Sequence, residues 1–139
     1  MTLYQQEINR IKNICYFNQG QIDTVVGARH YINNHFNQQV NLNLLSHLRF
    51  TSKFHLLRLF KKYYGLTPIQ YLTDKRIEKA KEDLKQGKSV TKTCFDVGFE
   101  CPSSFSTLFR GRVGLSPIQF QKEQFSQSRF NESFTTLKH

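Results

Sequence analysis

The sequence has little cysteine, proline and glycine, and it has no long apolar run. Its three cysteines, Cys15, Cys94 and Cys101, are an odd number, without a CxxC pair or a histidine at zinc-ligand spacing. This argues against a disulfide framework and a zinc site, and it favours a reducing compartment. The N-terminal residues lack a basic segment followed by an apolar run, and no stretch approaches the roughly 18 apolar residues of a membrane span. We therefore expect a soluble, cytoplasmic protein that needs no metal or other cofactor and does not contact a membrane.

Residue patterns typical of catalytic sites are also missing. The five histidines and ten acidic residues form no nucleophile–base pattern, no HExxH motif and no glycine-rich phosphate loop. Four of the histidines, His30, His35, His47 and His55, are scattered along predicted helices, as surface or capping histidines are. The sequence therefore predicts a protein that is not an enzyme.

Basic residues, in contrast, are abundant. The chain has 20 Lys and Arg against 10 Asp and Glu, which gives a net charge of +10. Such a surplus attracts polyanions, because each neutralised phosphate releases a condensed counterion. Membrane-surface and ribosomal proteins share this property, so the charge alone leaves the partner open. The 139 residues suffice for one domain with a core but are too few for two independent domains.

Apolar residues recur at intervals of three and four, which predicts an all-α chain. A first helix over residues 3–17 is expected to end at Gln19 and Gly20, and a second to run from the capping residue Asp23 to about Phe36. Cap, proline and glycine signals predict six more helices: one capped by Asn41, one capped by Ser52 and stopped by Gly65, one from Pro68 to about Gln86, one from Val90 to about Val97, one from Pro102 to Gly114, and a short one beginning at Pro117. After about Gln121, Phe125, Phe130 and Phe134 are not at clean helical spacing, which predicts a loosely packed tail.

An internal repeat is the strongest signal in the sequence. Residues 52–71 align without gaps on residues 101–120, and seven of the twenty pairs are identical. The identical pairs are Leu59/Leu108, Phe60/Phe109, Gly65/Gly114, Leu66/Leu115, Pro68/Pro117, Ile69/Ile118 and Gln70/Gln119. Residues 42–51 also match residues 90–99, at an offset of 48. Each copy is thus a short helix, a tight turn and a longer helix, which is the helix-turn-helix arrangement, although two generic helical hairpins of a bundle remain an alternative.

The two faces of each longer helix favour nucleic-acid binding. Apolar residues at core spacing predict the buried face, namely Leu56, Leu59, Phe60 and Tyr63 in the first copy and Phe105, Leu108 and Phe109 in the second. The opposite face of the first copy mixes cations with Phe54 and Leu57. Such a mixture suits a major groove, where apolar groups meet thymine methyls and cations meet guanine or phosphate. Packing of Phe54 and Leu57 on a neighbouring element is the alternative.

The two copies and the segment between them resemble the DNA-binding domain of the AraC/XylS family of bacterial transcription regulators over roughly residues 22–121. The resemblance rests on LLSHLRFTSKFHLLRLFKKYYGLTPIQYL, on RIEKAKEDL, and on VTKTCFDVGFECPSSFSTLFRGRVGLSPIQF with its D-V-G-F and G-x-S-P elements. It implies two helix-turn-helix subdomains joined by a long linker helix, with double-stranded DNA as the partner. The chain departs from the family at Phe50, where glycine is common, and at Thr93 and Cys94, where Ile-Ala is usual; Thr93 suggests a less apolar second core.

The resemblance also assigns roles to individual residues of two recognition helices, at about 52–64 and 102–113. Base-facing roles fall on Lys53, Phe54, Leu57 and Arg58 in the first and on Pro102, Ser103, Ser106 and Thr107 in the second. We expect Lys61, Lys62 and Arg110 to contact phosphates. Short hydroxyl side chains discriminate bases poorly, so the first helix should carry more of the specificity than the second.

The domain organisation predicted in this way has three parts. Residues 1–21 form an N-terminal helical extension, residues 22–121 the DNA-binding domain, and residues 122–139 a polar C-terminal tail. Within the domain, the helix-turn-helix units lie at about 41–66 and 90–115, and the linker helix lies at about 68–86. At ~1.5 Å per residue, a linker helix of about nineteen residues spans ~28 Å, which suits recognition helices in successive major grooves about 34 Å apart. The chain thereby resembles the short, single-domain members of the family.

These features together predict a sequence-specific transcription regulator that binds double-stranded DNA. Activation is the common mode of the family, so we expect an activator, with RNA polymerase as a candidate partner and the nucleoid as its location. Because the two units differ, we expect one chain to bind an asymmetric site as a monomer. The alternative is a basic helical adaptor or an RNA-binding module, in which exposed aromatic residues stack on unpaired bases.

Overall fold

The computed structural model describes the backbone of residues 2–137 and the side chains of residues 2–13 and 18–131. The regular structure in this part of the chain is α-helical, as the spacing of apolar residues predicts. The helices are α1 (Leu3–His35), α2 (Leu42–Leu48), α3 (Lys53–Tyr64), α4 (Pro68–Lys85), α5 (Val90–Asp96), α6 (Pro102–Val113) and α7 (Pro117–Leu137). The side chains of Cys15 and Phe134, which the sequence analysis included, lie outside the described residues.

The first two predicted helices are in fact one, and the expected break at residues 19 and 20 is wrong. Helix α1 continues through Gly20, and Asp23 does not cap a new helix; its carboxylate accepts a hydrogen bond from Gln19 Nε2 at 2.9 Å. A glycine within a helix costs only about 0.5–1 kcal/mol relative to alanine, which an otherwise continuous helix tolerates. The helix therefore also runs through residues 21 and 22, where the domain prediction places a boundary.

The repeated sequence G-L-[TS]-P-I-Q ends one helix and begins the next. Gly65 closes α3 in a left-handed conformation, with φ of 76°, and its N–H donates to Lys61 O. The side chains of Thr67 and Gln70 then cap each other's backbone N–H groups at 3.1 and 2.9 Å, which is a capping box around Pro68. The second copy has the same arrangement at its equivalent residues, Gly114, Ser116, Pro117 and Gln119. The glycine, proline and glutamine identities of the repeat are thus explained by the backbone conformation and the capping hydrogen bonds of these two turns.

The chain divides into two compact units. The first comprises the chain up to His35 together with Val40–Leu72, and the second comprises Phe36–Gln39 and the chain from Thr73 onward. In the first unit, α3 packs against α1 and α2. Its buried apolar residues are Val25, Ala28, Ile32, Val40, Leu45, Leu56, Leu59, Phe60 and Leu72. The predicted inward positions Leu56, Leu59 and Phe60 are confirmed, and Tyr63 is half-buried.

The second unit is built around a row of aromatic rings. The ring centres of Phe99 and Phe105 are 5.2 Å apart, those of Phe105 and Phe109 are 5.7 Å apart, and those of Phe109 and Phe120 are 5.4 Å apart. Apolar residues of α4 and α5, and the residue that caps the C-terminus of α5, complete this core, namely Ile77, Ala80, Leu84, Cys94 and Val97. Thr93, which is fully buried, is the polar side chain that the sequence predicted in this core.

Leu108, predicted as a core residue, is 38% exposed, whereas its repeat partner Leu59 is 3% exposed. Both residues lie at the border of the apolar stripe, where burial depends on a neighbouring helix. The two helices have different neighbours: α3 packs against α1 and α2, and α6 packs against α5 and α7. The two copies therefore share the same spacing of apolar residues, but they do not bury the same positions.

The last helix is much longer than the short one predicted, because the predicted tail after residue 121 continues it as a helix. Helix α7 continues to Leu137, and Gln121 Nε2 donates to the carbonyl oxygens of Leu84 and Lys88 at 3.0 and 2.7 Å. Beyond this anchor, Phe125 and Phe130 are 44% and 70% exposed. None of the helices in the described part of the chain is long and apolar enough to span a membrane.

Candidate nucleic-acid interface

The N-terminus of α3 is fixed by its cap and exposes most of the predicted base-facing residues. Ser52 Oγ accepts a hydrogen bond from His55 N at 3.1 Å, so the first turn of the helix is well defined. Lys53 and Arg58 are exposed, and Phe54 is 82% exposed. Leu57, the fourth predicted residue, is half-buried beside them. We call Lys53, Phe54, Leu57 and Arg58 the α3 outer face.

Arg58 is oriented by a neighbour on its own helix. Its Nη2 donates a hydrogen bond to Nδ1 of His55 at 3.2 Å. A guanidinium has no acceptor, so this contact requires a neutral His55 ring that carries its proton on Nε2. This contact was not among the predictions, although the i, i+3 spacing of His55 and Arg58 is its signal in the sequence.

The predicted phosphate-contacting residues of α3 are exposed near its C-terminal end. Lys61 and Lys62 both lie in the last turn, and Lys62 Nζ is 5.3 Å from the centre of the Tyr63 ring. The Tyr63 hydroxyl donates to Gln21 Oε1 at 3.1 Å and so ties α3 to α1. Lys61 and Lys62 are therefore exposed to solvent, whereas Tyr63 of the same turn contacts α1.

The corresponding face of α6 carries no charged side chain, and its polar groups are short hydroxyls. Pro102, Ser103 and Thr107 are exposed, and Ser106 is half-buried. We call these four residues the α6 outer face. The Thr107 hydroxyl donates to the Ser103 carbonyl oxygen at 3.0 Å, so its proton is used within the helix. Arg110, the predicted phosphate contact, is exposed in the last turn.

A cysteine stands where the first unit has its capping serine. Cys101 precedes α6, and its Sγ lies 3.5 Å from Ser103 Oγ and 3.0 Å from Ser104 Oγ. Side-chain hydrogen bonds between the Cys101 thiol and the hydroxyls of Ser103 and Ser104 lower the pKa of this thiol to about 7. Burial raises the pKa of the Cys94 thiol instead. The α6 outer face therefore begins beside a thiol that is partly ionised at neutral pH.

A lysine bridge holds the turn between α4 and α5. Lys88 Nζ contacts Asp83 Oδ2 at 3.2 Å and Asp96 Oδ2 at 2.8 Å. The hydrogen bond from Lys88 lowers the pKa of Asp96, and the hydrogen bonds to Asp96 and Asp83 raise the pKa of Lys88. These contacts position α5, the first helix of the second helix-turn-helix.

Two exposed apolar residues next to the predicted faces were missed by the sequence analysis. Leu108 was assigned to the core, but it lines a shallow groove with Ser103, Ser104 and Thr107. Phe50, in the turn before α3, is 97% exposed. The signal for Phe50 was its alignment with Gly98 of the second copy. Among the side chains that the structure describes, no group of three or more His, Cys, Asp and Glu residues is placed to hold a metal ion.

Comparisons with known proteins identify similar chains. A family model described as "Helix-turn-helix domain" matches residues 45–123. The probable transcriptional regulator LumQ of Photobacterium leiognathi is 29% identical over 113 residues, which are 79% of this chain and 46% of LumQ. The bifunctional transcriptional activator/DNA repair enzyme AdaA of Bacillus subtilis is 29% identical over 102 residues, 73% of this chain and 48% of AdaA. The chain thus spans about half the length of these two curated relatives.

Among solved structures, the C-terminal domain of AraT, a response regulator from Geobacillus stearothermophilus, has the same fold. The TM-score is 0.70 at 32% sequence identity, and the match covers 72% of this chain and 84% of that domain. The all-helical backbone is therefore shared with a solved domain over 72% of this chain, and the two helix-turn-helix units are consistent with that fold.

Proposed function

Because the chain belongs to the AraC/XylS-type family of helix-turn-helix regulators, we propose that it binds double-stranded DNA and regulates transcription. The observation that carries this proposal is the α3 outer face. Phe54 is 82% exposed between the exposed cations Lys53 and Arg58, on a chain with a net charge of +10. An exposed aromatic residue among cations matches the apolar, polar and charged groups that a major groove presents.

In this function α3 and α6 are recognition helices that enter successive major grooves. The proposal rests on the duplication, since each unit carries one such helix with its inward phenylalanines buried and most of its outer face in solvent. Lys61, Lys62 and Arg110 bind phosphates and supply affinity that does not depend on sequence. One chain binds a non-palindromic site of roughly 15–20 base pairs as a monomer.

The two recognition helices contribute unequally to base preference. Arg58 has a planar guanidinium suited to bidentate contact with guanine, and its Nη2 is hydrogen-bonded to Nδ1 of His55. Its repeat partner Thr107 has committed its hydroxyl proton to Ser103 O. The base preference is therefore stronger in the half of the site that α3 binds.

Selection of bound duplexes from a random pool tests this proposal, followed by titration of variants on the selected site. Arg58→Ala should weaken binding to that site by about 1–3 kcal/mol with little effect on random duplex, and Thr107→Ala should weaken it less. Arg129→Ala removes an exposed arginine from α7 and is the matched control for the loss of one positive charge. A palindromic site bound by two chains would contradict the monomer, and a sharper preference on the Thr107 side would contradict the division of work.

We propose activation as the direction of regulation, because AdaA is named a transcriptional activator. In this proposal the chain binds beside a promoter and contacts RNA polymerase. In vitro transcription from a promoter that carries the selected site tests this, with a scrambled site as the control. Transcription that falls as the protein is added would identify a repressor.

A basic adaptor or RNA-binding module is the second candidate, since exposed phenylalanines can stack on unpaired bases. A gel shift that compares duplex DNA, single-stranded DNA and structured RNA of one sequence separates the two. Binding that favours single strands or RNA over the duplex would replace the proposal with this candidate.

A further inference from the structure

Phe50 occupies a backbone conformation that its side chain disfavours. Its φ is 53°, and among the described residues it is the one non-glycine residue with positive φ. A left-handed conformation costs an ordinary residue free energy because Cβ approaches the carbonyl oxygen, whereas glycine has no such penalty. Such conformations cluster at binding and functional sites, so an exposed residue that adopts one is a candidate for a role outside the fold.

The second copy shows what this turn requires of the backbone. Gly98 stands at the equivalent position with φ of 103°. Phe50 N donates to His47 O, and Gly98 N donates to Phe95 O, both at 3.2 Å. The next residues, Thr51 and Phe99, donate to Ser46 O and Cys94 O at 3.0 Å. The two turns therefore have the same backbone hydrogen bonds. Because glycine occupies the left-handed position in the second turn, the phenyl ring of Phe50 is not needed to form the first.

The phenyl ring of Phe50 contributes little to the core of its own unit. It is 97% exposed, and Phe54 on the first turn of α3 is 82% exposed. Both line one open groove, together with Thr51, Ser52, His55 and Arg58. The two exposed aromatic rings thus lie beside one groove at the N-terminal end of α3, and one of them, Phe54, belongs to the α3 outer face.

The surroundings of this pair favour DNA as its partner. Lys53 and Arg58 are exposed on the same helix, and the described residues of α3 include no carboxylate. An anionic partner is therefore matched in charge, and the apolar group that DNA presents in its major groove is the 5-methyl of thymine.

We propose that Phe50 and Phe54 form a pair that selects thymine methyl groups, with Phe50 extending the contact of α3 to an additional base at the edge of its half-site. This inference rests on the proposed function and deepens it, because it names the chemical group that the first unit selects. Phe50 is then a specificity-determining residue contributed by the turn rather than by the recognition helix.

The test replaces thymines of the selected duplex one at a time with uracil, which removes the 5-methyl group and leaves base pairing intact. Burial of one methyl group stabilises by ~0.8 kcal/mol, so wild-type affinity should fall about fourfold at each contacted thymine. Phe50→Gly should abolish the loss at one position, and Phe54→Ala should abolish it at a different one. Phe95→Ala removes a half-exposed phenylalanine from α5 and should leave every loss unchanged.

Measurements of Tm distinguish a role of Phe50 in DNA recognition from a role in stabilising the fold. Phe50→Gly relieves the disfavoured backbone conformation, so its Tm should be equal to or higher than that of the wild type while its affinity for the thymine-containing site falls. Uracil substitution without effect at every position, on a duplex that is still selected and bound, would overturn the inference and leave the proposed function standing. An equal loss of Phe50→Gly affinity on thymine and uracil duplexes would also overturn it. Failure to select any duplex would overturn both.

Discussion

The buried hydroxyl of Thr93 provides a sharp test of the second core. Thr93 is fully buried, and its Oγ1 has no hydrogen-bond partner among the described residues. The equivalent residue of the first copy is Leu45, which is 1% exposed, so the position is apolar in the other unit. Thr93→Val replaces the hydroxyl with a methyl group of similar volume.

The expected gain follows from the desolvation of the unpaired hydroxyl. A buried polar group without a partner costs about 1–3 kcal/mol, and threonine and valine have similar helix propensities. Thr93→Val should therefore raise the free energy of unfolding by about 1–3 kcal/mol, which corresponds to a rise in Tm of roughly 3–10 °C for a chain of this size. Urea denaturation and calorimetry measure the two quantities.

Thr91→Val is the matched control, since Thr91 is exposed on the same helix and has no buried hydroxyl to remove. It should change stability by less than about 0.5 kcal/mol. A Thr93→Val variant that is no more stable than the wild type would show that the hydroxyl is satisfied in solution, and the reasoning about this core position would then be wrong.

Further predictions concern the second unit. Phe109→Ala should lower the free energy of unfolding by about 3–5 kcal/mol in urea, because its buried ring packs between two others; a shift of a few tenths would contradict the core. Since Lys88 lowers the folded-state pKa of Asp96, this stabilisation is present above the unfolded-state pKa of about 4 and is lost as the pH falls through the folded-state value. Lys88→Met should accordingly destabilise at pH 7 but not at pH 2, and an equal effect at both would refute the ion pair. Cys101 should react with iodoacetamide with an apparent pKa of about 7 and much faster than Cys94, and equal rates would refute its environment.

The helix boundaries that the sequence predicted correctly are those with local signals. Asn41 and Ser52 cap their helices, and Gly65 and Gly114 end theirs, as expected. Each of these features depends on atoms within a few residues of the boundary. The exposure of most residues on the α3 outer face was predictable for the same reason, since it follows from the helical period and the apolar stripe.

The errors arose where the local signal was weak or a distant element decided the outcome. Gly20 was interpreted as a stop, although its cost is small compared with the continuity of α1. The helix that begins at Pro117 was interpreted as short, yet Gln121 joins α7 to carbonyl groups more than thirty residues earlier in the chain, and the helix continues to Leu137. A hydrogen bond of that sequence separation leaves no periodic pattern to detect.

The sequence by itself thus determined the duplicated helix-turn-helix, its caps and its inward phenylalanines, because these depend on backbone geometry and apolar spacing within a single segment. Only the tertiary structure decided that Leu59 is buried and its repeat partner Leu108 is not, because burial depends on which helix covers a position at the edge of the stripe. The conformation and exposure of Phe50 were likewise decided by the folded turn. The turn imposes a left-handed backbone on whichever residue stands there, and the packing around it leaves the phenyl ring in solvent.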